Sequence, residues 1–242
     1  MSNKKKILII QKVHERGMEL INNHPNFDVE VTEDTSVENL KSKLKDCDGA
    51  SIRIANLPGE TFEEAKNLKI ISRHGVGYDN IDLKKAKEKD IKIAITASAN
   101  AVTVAEYVMF VLLNIAKGKG LFDKTVRDGN FKDRNKLPKT IEIWKKNFLI
   151  MGFGRIGKAL IKRCLGFEMN VFVYDPFVDK EKIEEFGGRK VEDLTDAVKT
   201  MDVISLHMPL TDKTENLINY DLLKTMKKTC IIINAARGGI IN

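Results

Sequence analysis

The sequence is poor in cysteine and contains no long apolar run. Its three cysteines, Cys47, Cys164 and Cys230, are odd in number and far apart, and no two form a CxxC pair. This pattern predicts reduced, buried thiols rather than a disulfide framework. No run of 18 apolar residues occurs, and the basic start MSNKKK is followed by only four apolar residues. We therefore expect no transmembrane helix, no secretory leader and a cytoplasmic location.

Two further motifs are missing. The sequence has no HExxH and no zinc-ligand spacing, so a metal site is not expected. It also has no GxxxxGK[ST] segment, which disfavours a P-loop nucleotide hydrolase.

The basic residues are dispersed rather than clustered. The formal net charge is +7, and only nine of the 41 basic residues are Arg. The one tight group, residues 4–6, lies at the chain start, and the other lysines are mixed with Asp and Glu. This favours a solvated surface that attracts small acidic ligands, and it does not predict a nucleic-acid interface.

Short apolar runs alternate with amphipathic stretches in the first hundred residues. The runs predict five strands, near residues 7–10, 29–31, 50–54, 69–72 and 92–96. The stretches between them predict helices near residues 14–22, 37–44, 61–66 and 83–89. Alternation of this kind predicts a parallel sheet covered on both faces, and five strands suggest a flavodoxin-like unit.

A long apolar helix is expected next. Thr103 and Glu106 have capping-box spacing, and residues 104–116 are apolar nearly all round. Such a helix should be buried, either between domains or against a second subunit.

The polar stretch 128–138 predicts a loop. Later strands are expected at 148–151, 171–174, 203–207 and 230–234, with helices at 158–165, 180–186, 193–199 and 221–226. We place the domain boundary near Ser98, which gives domains 1–98 and 99–242.

A glycine-rich turn follows the first strand of the second domain. Gly152, Gly154 and Gly157 have GxGxxG spacing between an apolar strand and a helix-forming run. In a dinucleotide-binding turn these three glycines permit the tight turn, the approach of the pyrophosphate, and close helix–strand packing. The helix N-terminus then offers free N–H groups to the phosphates, and Arg155 can add a positive charge.

Asp175 ends the next strand, eighteen positions after Gly157. The dinucleotide fingerprint places an acidic residue about 20 positions on, where it accepts hydrogen bonds from the ribose hydroxyls. A carboxylate there repels a 2′-phosphate, so NAD is expected rather than NADP. The alternative is a simple strand-end turn residue before Pro176.

Six segments together resemble a known family. They are RHGVGYDNID (73–82), NAVTVAEYV (100–108), GFGRIG (152–157), YDP (174–176), HMPLT (207–211) and NAARGG (234–239). Their order and separations resemble those of the D-isomer-specific 2-hydroxyacid dehydrogenases, and most of all the 3-phosphoglycerate dehydrogenases among them. The resemblance implies an α/β fold of two doubly wound parallel-sheet domains, a flavodoxin-like substrate domain and an incomplete Rossmann NAD-binding domain.

The resemblance also implies residue roles. Arg237 matches the catalytic arginine that holds the substrate carboxylate and polarises its C2 oxygen, a task that suits a guanidinium group. Val76 and Gly77 match the loop whose backbone N–H groups bind the same carboxylate, and Arg53 matches a position near the far end of the substrate. The positions that match cofactor contacts are Thr103, Gly152, Gly154, Arg155, Ile156, Gly157, Asp175, His207, Pro209, Ala235 and Ala236.

One family feature has no counterpart in these 242 residues. The resemblance places a catalytic histidine and its glutamate partner further along the chain, so the sequence is expected to be C-terminally truncated. Two interpretations remain open. The first is an NAD-dependent oxidoreductase that transfers hydride between C2 of a D-2-hydroxy acid and the nicotinamide. The second is an NAD-binding module without turnover. His207 could approach the nicotinamide, but a polar strand-end role is expected for it rather than a general base.

The partners implied are a small 2-hydroxy or 2-keto acid and, for the intact protein, a second copy that forms a homodimer through the helix after Thr103. The sequence does not name the acid. It predicts neither nucleic-acid nor membrane binding.

Overall fold

The computed structural model describes residues 4–242. The chain divides into two compact units between Ala99 and Asn100, one residue beyond the expected boundary. The two units are described separately.

The first unit is a five-stranded parallel sheet flanked by helices. Its strands are β1 (Lys5–Ile10), β2 (Phe27–Thr32), β3 (Gly49–Ile52), β4 (Ile70–Arg73) and β5 (Lys92–Ile95), and its helices are α1 (Glu15–Asn22), α2 (Val37–Leu44) and α3 (Leu83–Glu88). The strand order is β2-β1-β3-β4-β5, which is the flavodoxin order. The flavodoxin-like prediction is confirmed.

One predicted helix of this unit is wrong in type. Residues 61–66 were expected to form an α-helix, but the chain forms a 3₁₀ helix at Gly59–Phe62. Both the backbone N–H and the hydroxyl of Thr61 donate to the carbonyl of Pro58, at 2.9 and 2.6 Å. These contacts join residues three apart, which is the hydrogen-bond spacing of a 3₁₀ helix and not the four-residue spacing of an α-helix.

The second unit is another five-stranded parallel sheet. It begins with α4 (Ala101–Lys117), α5 (Lys119–Arg127) and a 3₁₀ helix (Phe131–Lys136). The sheet elements follow: β6 (Asn147–Met151), α6 (Arg155–Gly166), β7 (Asn170–Tyr174), α7 (Lys180–Glu184), β8 (Arg189–Lys190), α8 (Leu194–Ala197), β9 (Val203–Leu206), α9 (Tyr220–Thr225) and β10 (Ile231–Asn234). The order β10-β9-β6-β7-β8 is the Rossmann order, read from the other edge.

Three features of this unit were not predicted. Strand β8 has only two residues, too few for a periodicity. Helix α5 lies between the long helix and the expected loop. The expected loop at 128–138 itself contains the 3₁₀ helix Phe131–Lys136, so the loop prediction is wrong for those residues.

Helix α4 begins three residues earlier than the capping-box spacing predicts. Asn100 is the N-cap residue and makes no side-chain capping bond, so Thr103 is an exposed residue in the first helical turn. The Glu106 carboxylate does not return to cap the helix; it lies 3.0 Å from a guanidinium nitrogen of Arg163 on α6. The capping-box prediction is therefore wrong, because the helix already runs through Thr103 and Glu106 pairs with Arg163 instead.

Helix α4 is amphipathic in its burial, although its sequence is apolar nearly all round. The inner face packs against α6 and the sheet, and its buried residues are Ala101, Ala105, Val108, Met109, Leu112 and Ala116. The outer face leaves Val102, Tyr107, Phe110 and Ile115 more than half exposed. Burial of the helix, expected between domains or against a second subunit, is therefore not complete within the single chain.

Among the described residues, no single helix is long and apolar enough to cross a membrane. Only α4 and α5 taken together have the length and composition, and they are bent by 60° at Gly118. The inner face of α4 is part of the core of the second unit.

Candidate functional site

The sheet of the second unit reverses its winding beside β6. From β6 the chain continues to β7 and β8 on one side, and then crosses to β9 and β10 on the other side. The loops that follow β6 and β9 therefore leave the carboxyl edge in opposite directions. Ligands of doubly wound sheets bind in the crevice at this point.

The glycine turn after β6 is shaped by close contacts. Gly152 has φ +97°, a conformation that favours glycine, and a Cβ there would lie 2.8 Å from the carbonyl carbon and oxygen of His207. A Cβ on Gly157 would lie 2.4 Å from the carbonyl oxygen of Gly152. The first glycine thus lets the β9 loop approach, and the last lets α6 pack onto the turn.

Gly154 differs from these two glycines because it faces open space. It is the N-cap residue of α6, it is exposed, and a Cβ there would meet no atom within 4 Å. Glycine has no side chain that could cap the helix. The first backbone N–H groups of the twelve-residue helix are therefore left for a ligand. Arg155, the first helical residue, is exposed beside them, and Ile156 is half-buried. This arrangement fits a pyrophosphate.

Asp175 ties the strand next to β6 to the glycine turn. Its Oδ2 accepts a 2.8 Å hydrogen bond from the backbone N–H of Phe153, and its Oδ1 accepts one of 2.9 Å from that of Phe177. The second bond spans two residues and is an Asx turn, as the turn interpretation expects. A carboxylate accepts about four hydrogen bonds, so both oxygens keep capacity for ribose hydroxyls.

His207 follows β9 and has a desolvated imidazole. Its Nε2 lies 2.8 Å from the Oγ of Ser205, and its buried Nδ1 has no hydrogen-bond partner in the described chain. Burial lowers the pKa of His207 to about 4. The ring is therefore neutral at pH 7, and it holds an unused polar atom at the carboxyl edge. Pro209, two residues on, is exposed.

The loop after β10 carries Arg237. The Asn234 side chain organises this loop: its Oδ1 accepts from the Ala236 N–H at 3.0 Å, and its Nδ2 donates to the Arg237 carbonyl at 2.8 Å. The guanidinium of Arg237 donates to the Ala236 carbonyl at 2.8 Å and is half-buried, as are Ala235 and Ala236. The arginine is thus held against its own loop at the carboxyl edge of the sheet.

Comparison with known proteins agrees with this geometry. Residues 109–242, more than half of the chain, match the model of the D-isomer specific 2-hydroxyacid dehydrogenase, NAD binding domain. The chain belongs to the D-isomer-specific 2-hydroxyacid dehydrogenase family. Because the matching model is that of the NAD-binding domain, the cofactor of the second unit is NAD.

The chain is similar to family members that are named for different activities. It is 37% identical over 238 residues to a D-3-phosphoglycerate dehydrogenase of Methanocaldococcus jannaschii, covering 98% of this chain and 45% of that protein. It is 34% identical over 248 residues to a glyoxylate reductase of Thermococcus onnurineus, covering 99% and 73%. The chain thus spans about half the length of the phosphoglycerate dehydrogenase.

A solved structure supports the fold of this family member. The chain superimposes on the NAD-dependent formate dehydrogenase of Staphylococcus aureus in complex with NAD, with a TM-score of 0.84 and 27% identity. The match covers 98% of this chain and 75% of the other.

The residues of the first unit that match substrate-binding positions of the family lie at the carboxyl edge of that unit's sheet. Arg53 follows β3, is exposed, and donates from Nη1 to the Lys12 carbonyl at 3.0 Å. Val76 and Gly77 follow β4 and are half-buried. The loops after β1 and β3 are joined by Gln11, whose Oε1 accepts from the N–H groups of Ile54 and Ala55, both at 3.0 Å.

Sequence reasoning missed three polar residues that organise these loops: Gln11, Ser205 and Asn234. Ser205 offered a signal, because it is a polar residue inside the apolar strand VISL and is fully buried. Gln11 follows an apolar strand and Asn234 ends one, but many polar residues occupy such positions.

The cysteines have no place in the site chemistry. All three are free; Cys47 and Cys164 are buried, whereas Cys230 is only half-buried and departs from the expectation in that respect. Burial raises the pKa of Cys47 and Cys230 to about 11 and that of Cys164 to about 12. Their thiols stay protonated at neutral pH and are poor nucleophiles. Within residues 4–242, no group of three or more His, Cys, Asp or Glu could hold a metal ion.

Proposed function

We propose that this chain carries the substrate unit and the NAD-binding unit of an NAD-dependent dehydrogenase that acts at C2 of a D-2-hydroxy acid. One observation carries the proposal. Along the carboxyl edge of the second sheet, Asp175, the glycine turn, His207 and Arg237 follow β7, β6, β9 and β10 in that spatial order. This order indicates which half of NAD lies over which strands of the sheet.

The direction follows from the two ends of the dinucleotide. The pyrophosphate belongs at the N-terminus of α6, and the adenosine ribose belongs at Asp175 on the β7 side. The nicotinamide half therefore extends towards β9 and β10, where Arg237 lies. When bound, NAD accepts or supplies the hydride. We assign further cofactor contacts to Thr103, Arg155, Ile156, His207, Pro209, Ala235 and Ala236.

The substrate roles are proposed on the same basis. Arg237 binds the substrate carboxylate through its guanidinium fork and polarises the C2 oxygen, since its charge opposes the charge that develops there. For the first unit, we assign substrate contacts to the backbone N–H groups of Val76 and Gly77 and to the guanidinium of Arg53. A phosphorylated end, as in 3-phosphoglycerate, suits the charge of Arg53 and the net charge of +7.

The proton-transfer residue is not assigned to His207. Its pKa of about 4 makes the ring a weak base at neutral pH, and its Nε2 already contacts Ser205. A general base contributes about 10²–10⁴-fold to rate. We therefore propose that the polypeptide 1–242 binds NADH but turns substrate over slowly, if at all, by itself.

Binding and initial rates test the proposal. NADH binding is followed by fluorescence, and 3-phosphoglycerate, glyoxylate and hydroxypyruvate are compared as ligands of the NADH complex. Arg237→Met should abolish ligand binding and leave NADH binding within about twofold, because its role is to pair with the carboxylate. Arg134→Met, an exposed arginine of the same unit, is the matched control. If Arg237→Met binds the acids as well as the wild type does, the substrate assignment is wrong.

We also propose a homodimer that covers the outer face of α4. Val102, Tyr107, Phe110 and Ile115 are exposed apolar side chains on this face, and exposed apolar surface is typical of an interaction site. A second copy is the partner proposed, since two-fold dimers are the commonest assembly. Sedimentation should give a dimer at micromolar concentration. Phe110→Asp should dissociate it, whereas Leu20→Asp, at an exposed leucine of α1, should not.

A further inference from the structure

Ser205 is a polar residue in an apolar layer. It lies in the middle of the sheet, paired with Ile150 of β6 on one side and Ile233 of β10 on the other. Both isoleucines belong to the core beneath α4 and α6, and Ser205 is fully buried. A hydroxyl buried among such neighbours requires a hydrogen-bond partner.

Within residues 4–242, the Ser205 hydroxyl has one such partner. Residues two apart on a strand share a face, so His207 follows Ser205 on the same side of the sheet. The His207 backbone N–H still donates to the Met151 carbonyl, at 2.7 Å, which holds this residue in the register of β9 and β6. Its ring then meets the hydroxyl, with Oγ and Nε2 2.8 Å apart.

The ring has two neutral tautomers, and the buried hydroxyl discriminates between them. If Nε2 carried the proton, it would donate to Oγ, and the Ser205 O–H would be left with no acceptor whatever ligand bound. If Nδ1 carries the proton, Nε2 accepts from the Ser205 O–H. The Nδ1–H is then left over, and it is a buried donor without a partner in the described chain. An unpaired buried donor costs about 1–3 kcal/mol.

A bound dinucleotide can satisfy this donor once its entry uncovers Nδ1, which the chain alone keeps buried. On the direction proposed above, the part of NAD that lies over β9 is the nicotinamide half, between the glycine turn and Arg237. Its ribose hydroxyls, phosphate and carboxamide present mainly oxygen acceptors. A fixed N–H donor complements them, whereas a rotating or protonated ring would not hold one geometry.

We propose that Ser205 is a positioning residue, which fixes His207 as its Nδ1–H tautomer and directs that N–H to an oxygen of the nicotinamide half of NAD. The inference rests on the proposed function. It assigns to a core serine a role in cofactor binding that acts entirely through the histidine.

Nitrogen-15 NMR of the histidine-labelled full chain tests the tautomer. We expect the Nδ1–H form of His207 in the wild type, and we expect NADH to shift the Nδ1 resonance. Ser205→Ala should give mixed tautomers and weaken NADH binding about 5–10-fold, the effect of one hydrogen bond. Ser205→Thr, which restores a hydroxyl, should recover both properties. Ser51→Ala, at a half-buried serine of β3, is the matched control and should change neither.

The possible outcomes distinguish a failure of this inference from a failure of the proposed function. An Nε2–H tautomer in the wild type, or a Ser205→Ala variant with unchanged tautomer and unchanged NADH affinity, overturns the inference. If Ser205→Ala does not fold, the wild-type tautomer and its response to NADH decide alone. A wild-type chain that binds no NADH overturns the proposed function, while the tautomer measured without cofactor still decides whether Ser205 orients the ring.

Discussion

The carboxylate of Asp175 holds the backbone of Phe153 inside the glycine turn, through a 2.8 Å hydrogen bond between Oδ2 and the N–H. Asp175 therefore shapes the glycine turn and, in the proposed function, also sets the charge beside the adenosine ribose. The two tasks can be separated by substitution.

NAD should bind more tightly than NADP, because the Asp175 charge repels a 2′-phosphate. Asp175→Asn keeps an acceptor oxygen but removes the charge, so it should narrow the preference mainly by strengthening NADPH binding. Asp175→Ala should in addition lose both backbone contacts and about 1–3 kcal/mol of stability. Calorimetric titration with each cofactor measures the preference. Equal affinities in the wild type would contradict this prediction.

Gly154→Ala should separate cofactor binding from folding. A Cβ at this position meets nothing within 4 Å in the protein, so the melting temperature should stay within a few degrees of the wild type. The methyl group would project into the open space before α6, where the pyrophosphate is expected. NADH affinity should fall by about tenfold or more, equivalent to roughly 1.4 kcal/mol. An unchanged affinity in a folded variant would move the phosphate away from this turn.

Gly157→Ala should instead damage the fold. Its Cβ would lie 2.4 Å from the Gly152 carbonyl oxygen and 3.3 Å from Cγ2 of Ile150, so α6 must shift from the sheet. Overpacking of this kind costs about 1–3 kcal/mol. Gly166→Ala, at the last residue of the same helix, meets no atom and is the matched control. Denaturant unfolding of the two variants should differ clearly; equal stabilities would contradict the packing argument.

His207 should remain neutral down to about pH 5. Its folded-state pKa of about 4 lies below the unfolded value of 6.5, because burial disfavours the charged ring. The unfolded chain therefore gains a proton first as the pH falls. The stability that this histidine contributes is complete above about pH 6.5 and is lost as the pH falls towards 4, by at most about 3 kcal/mol.

Two measurements check this. Proton NMR should show no His207 titration between pH 5.5 and 8, and unfolding of His207→Gln should depend less on pH between 7 and 5 than unfolding of the wild type. A His207 pKa near 6.5 would show that the ring is solvated.

Local residue patterns were enough to predict the first sheet and four of the five strands of the second. Short continuous apolar runs such as FLIM at β6 are typical of buried strands, and the alternation of strands with helices predicts parallel, doubly wound sheets. The three glycines and Asp175 were predictable for the same reason, since their requirements are set by the backbone within a single βαβ unit.

Only the tertiary structure decided the features that depend on residues distant in sequence. Helix α4 begins at Ala101, before Thr103, and Glu106 contacts Arg163, 57 positions away, whereas the local spacing predicts a capping box. The outer face of α4 is exposed because α6 and the sheet cover only one side of it. Ser205 meets His207 in a buried layer formed by β6, β9 and β10, and that layer exists only after the chain has crossed the sheet. The pattern of apolar residues along the sequence predicts which faces are buried. The hydrogen-bond partner of a buried polar atom depends instead on which residues pack together in the folded chain.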